Sequence, residues 1–205
     1  MWLLAAWCAR LTVRGGGMQR VCVYCGSSAG TDAAWIESAQ TLGTTLAKRG
    51  VGVVYGGADR GLMGAVADAA LEAGGEVVGI IPKAFAHRVA HAGLADLRLV
   101  GSMHERKVQM FELVDACIAL PGGFGTLEEI LEVVTWAQLG MHAKPLGLLN
   151  VNGYYDPLLQ FLDHSVASGF VRQAHRDLLY VADKADDLLA LFETHTSAPV
   201  DKWQG

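Results

Sequence analysis

Pro121-Gly122-Gly123-Phe124-Gly125-Thr126-Leu127-Glu128-Glu129 follows the apolar run Ala116-Cys117-Ile118-Ala119-Leu120 and opens a segment with helical periodicity. A strand that breaks on glycines and restarts as a helix builds an anion site. Glycines let the backbone turn with positive φ and approach a ligand closely. The free N–H groups and positive dipole end of the new helix then face a phosphate. Glu128 and Glu129 fall in the first helical turn beside that site. A phosphate cradle with an acid next to it points to chemistry on a nucleotide.

On either side of this stretch, from Met18 onward, strand and helix signals alternate, the pattern of a parallel sheet covered on both faces. Strands are expected near Arg20–Cys25, Val51–Tyr55, Glu76–Ile81 (stopped by Pro82), Ala116–Leu120 and Pro145–Leu149, with short apolar runs at Leu97–Val100 and Leu178–Val181. After Thr31-Asp32, the residues Trp35, Ala39, Leu42 and Leu46 form one helical stripe. A second stripe in a helix at about Gly61–Ala73 holds Leu62, Ala65, Val66, Ala69 and Ala70. Further helices are expected at Met103–Val114, Thr126–Leu139, Asp156–Ala167 and Ala185–Glu193, and residues 83–101 read as loop around the short strand. The order makes an α/β, Rossmann-like, doubly wound parallel sheet in a single domain. Ligands of such sheets gather at the carboxyl ends of the strands.

The chain has 205 residues, of which 52% are hydrophobic and 18% charged, so it can bury a substantial core and is globular rather than disordered. A formal net charge of −5 argues against non-specific nucleic-acid binding. Nor is there an apolar run of membrane-spanning length. Cys22 and Cys25 form a C-x-x-C pair, but within a strand residues three apart point to opposite faces, and no second pair or nearby histidine completes a metal set. They read as buried structural thiols, and four cysteines in all suit a reducing cytoplasm. Met1-Trp-Leu-Leu-Ala-Ala-Trp-Cys-Ala-Arg10 is apolar but short and lacks the basic start of a signal peptide. Met18 is therefore expected to be the natural start, with residues 1–17 a mis-start or disordered leader and residues 18–205 the domain.

Three strand exits carry small-residue loops: Gly26-Ser27-Ser28, Gly56-Gly57-Ala58-Asp59-Arg60-Gly61-Leu62-Met63-Gly64, and Pro121–Thr126. Two double-glycine turns, each followed by another glycine and a helix, favour a phosphate-bearing ligand. The first exit does not fit a dinucleotide fingerprint, and neither glycine loop has the lysine and hydroxyl of a P-loop. A mononucleotide or sugar phosphate fits better than NAD or an ATPase site. Ser102 and Glu105 match a capping box, which starts a helix at about Met103. Arg106 and Lys107 then lie in or just after its first turn, where cations oppose the helix dipole. They are either a solvated basic pair or groups held there for function. Thr126-x-x-Glu129 is itself a capping box, which offers Glu129 a backbone partner instead of a chemical role. Glu132, one turn on, reads as solvated or paired across an interface.

Pro-Gly-Gly-x-Gly-Thr-x-x-Glu at 121–129, Arg106-Lys107 and Gly56-Gly57 with Gly61-Leu62-Met63-Gly64 together resemble the LONELY GUY family. The likeness runs from about Met18 to Phe192 and includes Thr135-Trp136-Ala137-Gln138-Leu139-Gly140 and Lys144-Pro145. Members of that family are cytokinin riboside 5′-monophosphate phosphoribohydrolases, often labelled lysine decarboxylases. The resemblance implies cleavage of the N-glycosidic bond of such nucleotides, and of AMP, in a Rossmann-like homodimer with sites near the subunit interface. No cofactor or metal is expected, and no nucleic acid or membrane partner. The family's catalytic arginine and glutamate fall on Arg106 and Glu129. Gly122, Gly123, Phe124, Gly125 and Thr126 would hold the 5′-phosphate, with further substrate contacts at Gly56, Gly57, Met63, Lys107, Glu128 and Thr135. Arg88 stands where relatives often carry a glutamate that contributes to ligand binding, so nucleotide hydrolysis is implied more firmly than cytokinin specificity.

Two other classes are open to the sequence. A non-catalytic nucleotide-binding module would share the loops. A pyridoxal-phosphate lysine decarboxylase would need a buried Schiff-base lysine. Of Lys48, Lys83, Lys107, Lys144, Lys184 and Lys202, none lies in a recognisable cofactor context.

Overall fold

Val21 and Val23 of β1 (Arg20–Tyr24), with Cys25 just beyond it, enter one apolar core, while Cys22 and Tyr24 enter another on the opposite face. Alternate side chains of a strand point to opposite faces, so a strand apolar on both belongs in the middle of a covered parallel sheet. In the computed structural model, which describes residues 17–196, β1 holds that place. The other strands are β2 (Gly52–Tyr55), β3 (Val77–Pro82), β4 (Asp96–Val100), β5 (Ala116–Ala119), β6 (Leu146–Leu149) and β7 (Leu179–Ala182). They form one seven-stranded sheet in the order β4-β3-β2-β1-β5-β6-β7, every pair parallel. Cys22 lies opposite Val54 on one side and Cys117 on the other.

The helices are α1 (Ala33–Lys48), α2 (Gly61–Glu72), α3 (Lys83–Val89), α4 (Met103–Glu112), α5 (Phe124–Gln138), α6 (Asp156–Ala167), α7 (Gln173–Arg176) and α8 (Ala185–Glu193). One face of the sheet is covered by α1, α2 and α8 through Leu42, Leu46, Leu62, Val66, Leu188 and Phe192. The other is covered by α4 and α5 through Met110, Phe111, Ile130 and Val133, with Leu158, Leu159 and Leu162 of α6 packed alongside. Burying one such leucine contributes about 1.5–3 kcal/mol. The doubly wound reading of the sequence therefore holds.

Local boundaries differ from it in two places that matter. Residues 83–89, read as loop, form α3: Pro82 ends β3 in extended geometry and serves as its N-cap position. No residue of α3 is buried, so it carries no apolar stripe to betray it. Helix α5 begins at Phe124, two residues before the expected Thr126. Cys22, Cys25 and Cys117 are buried free thiols, as the strand reading requires. Of the expected leader, residues 1–17, all but Gly17 lie outside the described residues, Cys8 among them. Among the described residues, no helix is long and apolar enough to cross a membrane.

Candidate active site

Strand order reverses between β1 and β5, and the crevice at such a switch point is where open α/β sheets bind ligands. Gly26 N donates to Pro121 O at 3.0 Å and ties the two strand exits together. A cavity of about 270 Å³ opens there. Cys25, Gly26 and Ser27 line it from the β1 exit, Met63 from α2, and Met103 and Arg106 from α4. The β5 exit and α5 supply Gly123, Phe124, Gly125, Thr126, Glu128 and Glu129.

The start of α5 is built to leave donors free. Its N-cap is Gly123, which has no side chain to cap with, and the first helical bond runs from Leu127 N to Gly123 O at 3.1 Å. The amides of the first turn thus lack intrahelical acceptors and lie on the cavity wall, at the positive end of the dipole. The glycines serve this site by close approach and open space. Gly122, Gly123 and Gly125 are absent from the positive-φ residues, so the expected left-handed turn is not how this loop reverses. A Cβ on Gly122 would strike the Thr126 side chain and come within 2.9 Å of Gly26 N. One on Gly123 or Gly125 would meet nothing within 4 Å beyond its own local chain, which leaves room for a ligand. Phe124 stands 94% exposed at the helix start.

Because α5 starts at Phe124, Glu128 and Glu129 fall in its second turn rather than its first. Thr126 is the third helical residue and not a cap, so the capping-box role for Glu129 is overturned. Glu129 is buried, and its Oε1 lies 3.2 Å from Arg106 Nη1 without a hydrogen bond in line. Burial raises the Glu129 carboxyl above the ordinary glutamate range, against the pull of the Arg106 guanidinium and with a further push from Glu128. A buried carboxylate oxygen without a hydrogen bond is costly in a folded protein, and its place is where a substrate or water hydroxyl would bind.

Arg106 is held from three sides. Its Nε donates to Ile80 O of β3 at 3.1 Å, Nη1 approaches Met103 Sδ at 3.8 Å, and Nη2 lies so close to Gly56 that a Cβ there could not be accommodated. Lys107 Nζ donates to Glu128 Oε1, and to Glu132 Oε1 at 3.0 Å. Burial alone would lower the Lys107 ammonium, but the two carboxylates outweigh it and raise its pKa. Both cations are 8% exposed, so the solvated-pair reading is overturned, and Glu132 pairs within the chain rather than facing solvent. Their place follows from α4. Ser102 Oγ accepts from Glu105 N and sets the first turn, while Glu105 Oε2 reaches Gly101 N instead of the Ser102 N of a full capping box. Arg106 and Lys107 then precede the buried Met110 and Phe111 by four residues on one helical stripe.

The cavity thus gathers Arg106, Glu129, Met63, Glu128 and the 123–126 segment, with Gly56 behind Arg106. Gly57 turns with φ 74° outside the lining, against Ile80 and Ile81, and its carbonyl accepts from His91 N. Thr135 lies on an exposed part of α5 with its hydroxyl on Leu131 O, away from the lining. Arg88 is an exposed residue of α3 that donates to His87 Nε2, also outside the lining. Sequence reasoning did not mark Cys25 and Met103 as lining residues. Cys25 directly follows β1 at the switch point and Met103 opens the arginine's helix, positions that become signals only once strand order is known.

Residues 63–192 match the family described as "Possible lysine decarboxylase". The chain is 46% identical over 195 residues to the probable cytokinin riboside 5′-monophosphate phosphoribohydrolase LOGL1 of Oryza sativa subsp. japonica, covering 92% of this chain and 87% of that one. It is 48% identical over 178 residues to the cytokinin riboside 5′-monophosphate phosphoribohydrolase LOG of the same organism, covering 86% and 74%. A solved structure of the molybdenum cofactor binding protein from Rippkaea orientalis shares the fold at 22% identity and a TM-score of 0.65, over 86% of this chain and 96% of that one. With relatives this similar across most of its length, the chain belongs to the LONELY GUY family.

Proposed function

We propose that this protein hydrolyses the N-glycosidic bond of cytokinin riboside 5′-monophosphates, and of AMP, to free base and ribose 5-phosphate. The observation that carries the reading is Glu129 Oε1, buried without a hydrogen bond beside Arg106 and in the same cavity as the open amides of α5. In this reading the 5′-phosphate accepts hydrogen bonds from the amides of the 123–126 segment. Ribose C1′ then lies toward Glu129. Cleavage passes through an oxocarbenium-like state, which the carboxylate stabilises while it takes a proton from the attacking water. The water oxygen bonds to C1′ and the glycosidic electron pair leaves with the base. Arg106 binds ribose hydroxyls or phosphate oxygen by charge-assisted bonds and favours the ionised form of Glu129 against its burial. Lys107 fixes Glu128 and Glu132 beside them and stays off the substrate.

The decarboxylase label finds little support. Among the described residues no lysine lines the cavity. Lys107 is committed to two carboxylates, and Lys48, Lys83 and Lys184 are exposed. Lys144 is partly buried, which lowers its pKa, but its Nζ donates to Phe111 O at 2.7 Å.

Exposed apolar side chains on β4, α4 and the start of α5, namely Leu99, Met103, Val108 and Phe124, support a homodimer that covers them. The reduced thiols fit a cytoplasmic protein.

Wild type and Glu129→Gln, incubated with AMP and isopentenyladenosine monophosphate, test the reading by chromatography of the released base. The glutamine is isosteric but cannot act as a base, so a folded variant with base release reduced about 10²–10⁴-fold is expected. For the wild type, kcat/KM falls as pH drops through the raised pKa of Glu129, above the ordinary glutamate range, because the ionised form is the active one. Full activity of the glutamine variant would overturn the catalytic role. Nucleotide binding by the wild type without base release would favour the non-catalytic module.

A further inference from the structure

The connection after β6, Asn150-Val151-Asn152-Gly153-Tyr154-Tyr155-Asp156, sends two tyrosyl hydroxyls into the glycine loop. Tyr154 donates to Gly122 O and Tyr155 to Leu120 O, each at 2.6 Å. With Gly26 N on Pro121 O, three successive carbonyls of the loop are held. The two hydroxyls do different things. In a trans peptide the C=O and the following N–H point in opposite directions across one plane, and the described chain contains no cis bond. Holding Gly122 O on Tyr154 therefore aims Gly123 N–H away from the tyrosine. The Gly122–Gly123 peptide has glycine on both sides, so little else resists its rotation. Tyr155 holds the Leu120–Pro121 peptide, whose nitrogen belongs to proline and has no N–H to aim.

The geometry points to Tyr154 as a positioning residue for the phosphate half of the substrate: its hydroxyl fixes the Gly122–Gly123 peptide so that the Gly123 amide faces the 5′-phosphate. This rests on the hydrolase reading above for the identity of the anion. The tyrosine is itself well placed. Its ring meets Trp35 edge-on at 5.4 Å and Tyr155 at 5.0 Å. The turn that carries it is pinned by Tyr155 N on Asn150 Oδ1, Asn150 Nδ2 on Asp156 Oδ1, and Asn152 Nδ2 on Asp32 Oδ2. Asp32 also caps α1, so the turn is tied to the helix that follows β1. Asn152 and Gly153 take consecutive left-handed conformations, φ 52° and 71°, which present both tyrosines to the loop.

Titration calorimetry of wild type, Tyr154→Phe and Tyr155→Phe with ribose 5-phosphate and, separately, with adenine tests this. Tyr154→Phe keeps the ring and removes one oxygen. A hydrogen bond to a charged group is worth about a tenfold to hundredfold in affinity, so ribose 5-phosphate should bind about that much more weakly to Tyr154→Phe. Adenine should bind within about twofold of wild type, and KM for AMP should rise with kcat little changed. Tyr155→Phe should lower the melting temperature yet leave the ribose 5-phosphate to adenine ratio as in wild type. Equal weakening of both ligands, an unchanged ratio in Tyr154→Phe, a fall of the ratio in Tyr155→Phe, or no ribose 5-phosphate binding by wild type would each overturn the positioning role. Wild type that binds ribose 5-phosphate but does not cleave AMP would sink the hydrolase reading alone, since the binding ratio still decides the role of Tyr154.

Discussion

Glu129 and Arg106 sit together at low exposure, with an ion-pair contact of 3.2 Å and no hydrogen bond to complete it. Two charges taken out of water in such loose geometry are an expensive arrangement for stability alone. The geometry of Gly56 shows how closely the arginine is specified. A methyl group there would displace Nη2 and crowd Met63 Sδ, 3.3 Å away. Gly56→Ala is therefore expected to leave a folded protein whose kcat/KM on AMP is about 10²-fold lower, from misplacement of the guanidinium by roughly an ångström. Activity equal to wild type would show that the observed pose of Arg106 is not the working one. The sequence named both residues but not their setting. A Thr-x-x-Glu spacing fits a cap as readily as a buried acid, and only the start of α5 at Phe124 removes the first option.

At the scale of elements, the return from α5 to β6 docks on α4 through two side chains. His142 Nε2 donates to Val133 O at 2.8 Å, and its Nδ1 accepts from Lys144 N at 3.1 Å, so the neutral ring is the one that fits. The ring also meets Phe111 edge-on at 4.7 Å, and the Lys144 ammonium lies 3.9 Å from the centre of the same phenyl ring. Burial lowers the His142 pKa from 6.5 to about 4. The sign follows directly: between these values the unfolded chain holds a proton that the folded one refuses. Stability present above pH 6.5 is thus lost as pH falls toward 4, by up to about 3 kcal/mol. Urea midpoints measured across this range should fall with pH, and His142→Gln should flatten that part of the curve. An unchanged slope in the variant would assign the acid sensitivity elsewhere. Nothing in His142-Ala143-Lys144-Pro145 announces this, because it depends on which helix the loop meets. By contrast α1 was legible: Asp32 caps it as its position suggests, and Ala39, Leu42 and Leu46 are buried as their spacing requires.

For the whole molecule, the strand order puts the double-glycine exits of β2 and β5 on either side of β1 and leaves apolar side chains of β4, α4 and α5 exposed. Light scattering on a size-exclusion column is expected to give about twice the chain mass of 21.8 kDa, and Leu99→Asp with Val108→Asp should shift it to the monomer. A wild-type monomer at micromolar concentration would remove the dimer from the functional reading. Alternation of apolar strands and amphipathic helices was enough by itself to determine a doubly wound parallel sheet, since such strands are stable only when both faces are covered. The glycine motif at 121–126 was likewise enough to mark a loop that lines the switch-point cavity, because helix starts and glycines act locally. What only the tertiary structure decided is which residues meet: β1 beside β5, Arg106 of α4 against Glu129 of α5, and Tyr154 on Gly122 O, 32 residues away. Those contacts join segments distant in sequence, and their chemistry comes from burial and direction, which no local pattern encodes.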